Sequence, residues 1–164
     1  MTAFLQQYPQ FIELLFNVLT KEDNRERYYA ETIANAASLI LSLTNKIGQI
    51  PIDQFLPHIV NKLPYKRDTI EGKKIALWVV DLIQNNKMQI DKSVEFEILR
   101  GLILQMSMND SELEKYEFND EERNRIVHVI MSLSKSNPDF IPTFFENISD
   151  VKKMMFQKHT NIEF

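Results

Sequence analysis

Apolar residues recur every three or four positions along most of the chain, a spacing that places them on one face of an α-helix. The clearest stripe lies between residues 29 and 47, and two more lie within 75–83 and 126–133. The members of the first stripe are Tyr29, Ile33, Ala36, Ile40, Leu43 and Ile47. The pattern therefore predicts three long amphipathic helices.

Each long stripe is preceded by a polar residue and a glutamate three positions apart, the pattern of a helix capping box. The three pairs are Asp23 with Glu26, Asp68 with Glu71, and Asn119 with Glu122. Gly48 and Pro51 mark the end of the first long helix, and Pro138 marks the end of the third. Start and stop signals therefore frame the stripes.

Shorter amphipathic segments alternate with the long helices. Their leading phenylalanines, Phe11, Phe55, Phe96 and Phe140, are separated by 44, 41 and 44 residues. Units of about 40 to 47 residues with two helices are typical of HEAT and armadillo arrays, in which stacked neighbours share one core. We therefore predict an all-α fold, an α-α superhelix of about four antiparallel helix pairs. The pairs are 4–20 with 24–47, 53–63 with 69–86, 92–107 with 120–136, and 139–147 with 150–159.

Composition supports one domain over residues 1–164. With 44% hydrophobic and 26% charged residues in 164, the chain can bury a core without covalent or metal crosslinks. The absence of cysteine excludes disulfides and thiolate metal sites, and it is compatible with a reducing compartment. The sequence contains no uninterrupted apolar run of about 18 residues, the length that would predict a membrane-spanning helix. A net charge of −4 disfavours direct nucleic-acid binding and favours basic partners.

The sequence gives no sign of an active site. His58, His128 and His159 lack the spacing of metal ligands, and the glycine-rich phosphate-binding motifs and the nucleophile elbow are missing. Most carboxylates fall at predicted helix starts, where capping explains them. We therefore expect that the protein is not an enzyme and that it has no catalytic, cofactor-binding or metal-binding residue. A small helical enzyme with an unrecognised site is the remaining, disfavoured hypothesis.

The most distinctive polar feature is the acidic segment, residues 110–122, at the longest predicted connection between helices. Its acids are Asp110, Glu112, Glu114, Glu117, Asp120, Glu121 and Glu122, against the single cation Lys115 among residues 110–122. As a binding element it would attract a basic protein by long-range electrostatics, with Glu112, Glu114 and Glu117 as candidate contacts. The alternative is an ordinary solvated loop followed by helix-start acids.

Trp78 and the methionines suit both packing and binding. Trp78 lies on the same stripe as Ile75 and Leu82, which favours core packing over an interface anchor. Methionine fills irregular gaps between helices, so we also assign one group of methionines to packing. That group is Met106, Met108, Met154 and Met155.

The order of segments resembles the C-terminal HEAT repeats of the importin-β (karyopherin-β) family of nuclear transport receptors. The likeness is broadest over residues 30–86 and is nearest to the branch that imports ribosomal proteins and histones. It rests on Ile33-Ala34-Asn35-Ala36, Phe55-Leu56-Pro57-His58, Leu63-Pro64 with Asp68 and Glu71, and Asp81-Leu82-Ile83 with Asn85. The resemblance implies that the chain is the C-terminal part of a much longer solenoid.

Receptors of this family hold protein cargo on the concave surface lined by the second helix of each repeat. Ran in its GTP form releases the cargo, and the outer helices meet Phe-Gly nucleoporins. The resemblance therefore implies a receptor that moves between cytoplasm and nucleus through the nuclear pore, with Ran and nucleoporins bound by the full-length receptor. It implies cargo contacts at Asn35, Ser38, Lys74, Asp81, Asn85 and Arg125. The alternative is a HEAT scaffold or regulatory subunit of a non-transport complex.

Overall fold

The computed structural model describes residues 9–20, 26–47, 52–85 and 90–164, and within these ranges all regular structure is α-helical. The described residues form nine helices in chain order: α1 (Pro9–Thr20), α2 (Glu26–Ile47), α3 (Ile52–Val60), α4 (Thr69–Gln84), α5 (Lys92–Met106), α6 (Asp110–Glu114), α7 (Asp120–Lys135), α8 (Phe140–Glu146) and α9 (Asp150–Thr160). The all-α prediction is confirmed. None of these helices is both long and apolar enough to cross a membrane.

Eight of the helices coincide with the eight predicted ones to within a few residues wherever the predicted ends are described. The predicted ends at residues 4, 24 and 86 lie outside the described residues, as do Asp23, Gly48 and Pro51. Helix α6 was not predicted. Pro57 lies inside α3, where the carbonyl of Pro57 still accepts a hydrogen bond from the amide of Asn61 at 3.1 Å.

The start of α7 is held by the predicted capping box. The Asn119 side chain accepts from the Glu122 amide at 2.8 Å, and the Glu122 carboxylate accepts from the Asn119 amide at 2.9 Å. At the start of α4, Asp68 accepts from the Glu71 amide at 3.0 Å. The Glu71 carboxylate instead contacts other side chains, so only half of that predicted pair acts as a cap.

The helices stack in two layers. In the first layer α3 contacts both α1 and α5, and in the second layer α4 contacts both α2 and α7. The layers are joined where α1 packs on α2 and α5 packs on α7. One continuous core of buried apolar side chains runs from Leu15 in α1 to Phe156 in α9. Neighbouring helix pairs thus bury one another's apolar faces, as a helical repeat requires.

The fourth helix pair departs from this succession. Helix α8 follows the first layer, because Phe140 stacks on Phe96 of α5 with ring centroids 5.3 Å apart. Helix α9 also packs mainly against α5, whereas a regular continuation would stack it on α7. Its Phe156 is fully buried, with the Phe145 ring centroid at 5.3 Å and the Phe164 centroid at 5.9 Å.

Candidate protein-binding surfaces

A polar cluster around Glu71 joins α2 to α4 and includes two candidate residues, Ser38 and Lys74. The Glu71 carboxylate accepts hydrogen bonds from Ser38 of α2 and from the Lys74 ammonium, the latter at 2.5 Å. Partial burial opposes ionisation of Glu71, but these hydrogen bonds and the Lys74 charge outweigh it and lower the pKa of its carboxyl group. Ser38 therefore links α2 to α4 through Glu71, whereas Lys74 pairs with Glu71 within α4.

A second cluster joins α4 to α7. The Arg125 guanidinium forms an ion pair with Asp81 and donates two hydrogen bonds to the Gln84 side chain, at 3.0 and 3.1 Å. Asn85 donates to the Asp81 carbonyl at 2.9 Å. Gln84 was not among the predicted residues, because its role depends on α7 lying beside α4.

The six candidate residues on the long helices occupy the three adjacent helices of the second layer. Asn35, Lys74 and Asn85 are exposed. Ser38, Asp81 and Arg125 are half-buried and take part in the contacts between helices. A partner on this face would meet the exposed three directly, whereas the other three stabilise the surface beneath it.

The acidic segment contains a helix rather than being an open loop, and five of its acids lie in first helical turns, as the alternative interpretation expected. Residues 110–114 form helix α6, and Asn109 and Glu112 close a capping box at its start. The segment folds against the core because it carries Leu113, Tyr116 and Phe118, all of which are buried. Of the candidate acids, Glu112 is half-buried in the cap, while Glu114 and Glu117 are exposed.

Lys73 of α4 fixes the acidic segment in place. Its ammonium donates to the Glu117 carbonyl at 2.7 Å, pairs with the Glu122 carboxylate at 2.7 Å and lies 5.7 Å from the centre of the Phe118 ring. Partial burial of Glu122 is outweighed by its hydrogen bonds and by the Lys73 charge, so the pKa of that carboxyl group is lowered. The exposed acids Glu114 and Glu117 are therefore presented from a fixed backbone.

An aromatic groove of about 480 Å³ lies where α5, α8 and the connection between α7 and α8 meet. Phe96, Phe140 and Phe144 line it, with Pro138 beside them. Phe140 and Phe144 are also stacked, with centroids 6.1 Å apart, and Phe96 is 36% exposed. Phe96 and Phe140 were predicted only as leading apolar positions of short helices, and their place in the repeat period was the available signal.

A polar cleft of about 630 Å³ separates the end of α9 from α6 and the first turns of α7. Its charged lining is Asp110, Glu114, Asp120, Arg123, Lys158 and His159. Asp110 pairs with Lys158 at 2.6 Å and with His159 at 2.9 Å. Hydrogen bonds from these two residues lower the pKa of the Asp110 carboxyl group.

Other predictions at single residues have mixed outcomes. Trp78 is half-buried and packs against the core, as predicted. Met106 and Met108 are buried, but Met154 is 55% exposed, so its assignment to packing was wrong. Its helix contacts α5 along one face and leaves Met154 outside that contact. Among the described residues, no group of three His, Asp or Glu side chains is arranged to hold a metal ion.

Comparison with protein-family models, with characterised proteins and with solved structures finds no match to the chain.

Proposed function

We propose that the chain is a protein-binding helical scaffold of a nuclear transport receptor, and that it takes part in the import of basic protein cargo. The two-layer stacking of helix pairs is the observation that carries the scaffold role, because such stacks offer an extended surface on each layer. The importin-β assignment rests on the sequence resemblance over residues 30–86. In this proposal the chain performs no catalysis and works in cytoplasm, nucleus and nuclear pore.

The second layer and the adjoining acidic segment are the proposed cargo side. Glu114 and Glu117 are exposed on a segment that Lys73 and three buried apolar residues hold rigid, so their charges need little ordering when a partner binds. Acidic groups at the edge of an interface speed association with a basic partner, and added salt weakens this effect.

A histone-like basic protein tests the cargo side. We expect the double variant Glu114→Gln/Glu117→Gln to bind it several-fold more weakly at low salt and to show a shallower salt dependence. Glu146→Gln, at an exposed glutamate near the end of α8, is the matched control and should bind as the wild type does. Equal affinities for all three proteins would contradict the role of the acidic segment.

The aromatic groove on the first layer is the proposed binding site for Phe-Gly nucleoporins. Three phenylalanine rings beside an open groove offer stacking and apolar contact to a phenylalanine side chain of a Phe-Gly nucleoporin. Because Phe96 is the most open of the three, its truncation removes contact area with the least loss to the core.

Binding of a Phe-Gly repeat peptide, followed by nuclear magnetic resonance, tests this surface. We expect Phe96→Ala to remove most of the binding, and Met131→Ala, which alters an exposed apolar residue of α7, to leave it unchanged. If the wild-type protein bound neither the peptide nor the basic protein, the transport role would be overturned. In that case the alternative is the scaffold of a non-transport complex.

A further inference from the structure

The contacts of His159 suggest that α9 is held in place by a bond that depends on protonation. The ring Nδ1 lies 2.9 Å from the Met106 carbonyl oxygen at the end of α5, and the ring Nε2 lies 2.9 Å from Asp110 Oδ1 at the start of α6. Both neighbours are hydrogen-bond acceptors. A neutral imidazole has one N–H group and serves only one of them, whereas an imidazolium serves both.

We propose that His159 is a proton-dependent latch, which docks α9 onto α5 and α6 when its ring is protonated and weakens this contact when the ring is neutral. Histidine changes charge between about pH 5 and pH 8, so the latch responds within the physiological range. The His159 side chain is only 8% exposed and Met106 is fully buried, so a neutral ring that donates from Nδ1 to the Met106 carbonyl leaves the lone pair of Nε2 facing the Asp110 carboxylate.

The charges around the ring define the environment of the latch. From α6 the ring meets Asp110, and Glu114 lines the same cleft; from α7 the cleft receives Asp120 and Arg123. Lys158 of α9 forms an ion pair with the same Asp110 carboxylate that the ring contacts. The contact from α5 is the Met106 carbonyl oxygen. The C-terminal end of α5 carries the negative end of its helix dipole, which further favours a cation at the ring.

Because the docked form binds a proton at His159, docking strengthens as pH falls from 8 to 6. Asp110 sets the lower limit: its pKa is lowered by the bonds from Lys158 and His159, so its carboxylate persists until the pH is well below neutral. The latch is therefore strongest in mildly acidic solution.

Loosening of α9 has a structural consequence. Phe156 is fully buried against Phe145, and Met106 beside the latch is also fully buried. Undocking would expose apolar surface of α5 and of the α8–α9 pair together. The latch thus links the pH of the surroundings to the exposure of an apolar face.

Hydrogen exchange of residues 150–164, corrected for intrinsic exchange rates, tests the proposal at pH 6 and pH 8. For the wild type we expect protection to fall roughly three- to tenfold at the higher pH, the effect of one lost hydrogen bond. His159→Gln should show low protection that does not depend on pH. An unchanged wild-type protection between the two pH values would overturn the proposal.

Two controls separate the latch from general effects of charge. His128→Gln removes an exposed histidine of α7, and Lys158→Gln removes the second donor to Asp110 while leaving the ring in place; both should retain the pH dependence. Asp110→Asn changes the exposed partner of the same contact and should reduce the dependence of protection on pH. This variant keeps the test decisive if His159→Gln fails to fold. Retention of the full pH dependence by His159→Gln would contradict the latch.

Discussion

Two glycines decide how closely α4 and α5 approach the connection between α3 and α4. A Cβ atom on Gly101 of α5 would lie 2.6 Å from the Leu63 Cβ, and one on Gly72 of α4 would lie 2.9 Å from the Tyr65 carbonyl oxygen. These obstacles are a Cβ atom and a backbone atom, so neither can move without moving the chain. Glycine at both positions therefore reflects packing, despite its low helix propensity.

Gly101→Ala should lower the free energy of unfolding by about 1–3 kcal/mol, because the overpacking at Leu63 exceeds the gain in helix propensity. Urea denaturation followed by circular dichroism measures the change. Ser93→Ala places the same methyl group at an exposed site of α5 and should leave the stability within about 0.5 kcal/mol of the wild type. A stabilised Gly101→Ala protein would disprove the close contact.

Tyr116 should make stability fall in alkaline solution. Burial raises its pKa from 10.0 to about 12, and its hydroxyl donates to the Tyr65 carbonyl at 2.9 Å. Since the folded pKa lies above the unfolded value, the contribution to stability is complete below about pH 10 and is lost as pH rises towards 12. Phenolate absorbance and unfolding curves between pH 9 and pH 12 measure this.

At pH 7 the free energy of unfolding of Tyr116→Phe should be about 1 kcal/mol lower than that of the wild type. The fall of that free energy between pH 9 and pH 12, the alkaline slope, should be less steep in the variant. Tyr65, whose pKa burial also raises, keeps the remainder of that slope. An identical slope in the variant and the wild type would show that Tyr116 ionises freely.

At the scale of the element, α7 depends on its first turn. Asn119 and Glu122 satisfy each other's backbone amides there, and the same Glu122 carboxylate binds Lys73 of α4. One residue thus both begins a helix and connects it to its neighbour. Two capping boxes, at α6 and α7, frame a tightly folded connection with buried Tyr116 and Phe118 between them.

Asn119→Ala should destabilise the protein by about 1 kcal/mol, because the Glu122 amide loses its acceptor. The loss should lower the urea concentration at the midpoint of unfolding, while the slope of the unfolding free energy against urea concentration stays unchanged. Asn124→Ala, at an exposed position one turn further along α7, serves as the control and should shift the midpoint little. Equal shifts for the two variants would show that the cap contributes nothing specific.

For the whole molecule, stacking predicts a gradient of local stability. Helices α4 and α5 each have neighbours on both sides in their layers, whereas α1 lies at one end of the described stack and α9 has α5 as its main neighbour. In a linear array the end units open first, since they lose contacts with one neighbour only. We therefore expect hydrogen exchange to be slowest in α4 and α5 and fastest in α1 and α9, and a uniform exchange pattern would contradict a repeat architecture.

The candidate binding residues were harder to assess from the sequence than the fold was. Asn35, Lys74, Asn85, Glu114 and Glu117 are exposed, as binding residues must be. Ser38, Asp81 and Arg125, in contrast, are engaged with neighbouring helices, and Glu112 is engaged in a cap. A helical stripe identifies the outward positions of one helix, but it does not reveal which outward residue meets an adjacent helix.

Eight of the nine described helices, their order and most of their described ends can be predicted from the sequence, because apolar spacing and capping act within one or two helical turns. The pairing of Arg125 with Asp81, the folding of the acidic segment, the aromatic groove and the position of α9 on α5 arise only when the helices pack together. These features join residues as far apart as Met106 and His159, which are separated by 53 positions. Such pairs meet only when the stack assembles, because no local pattern encodes the distance between them.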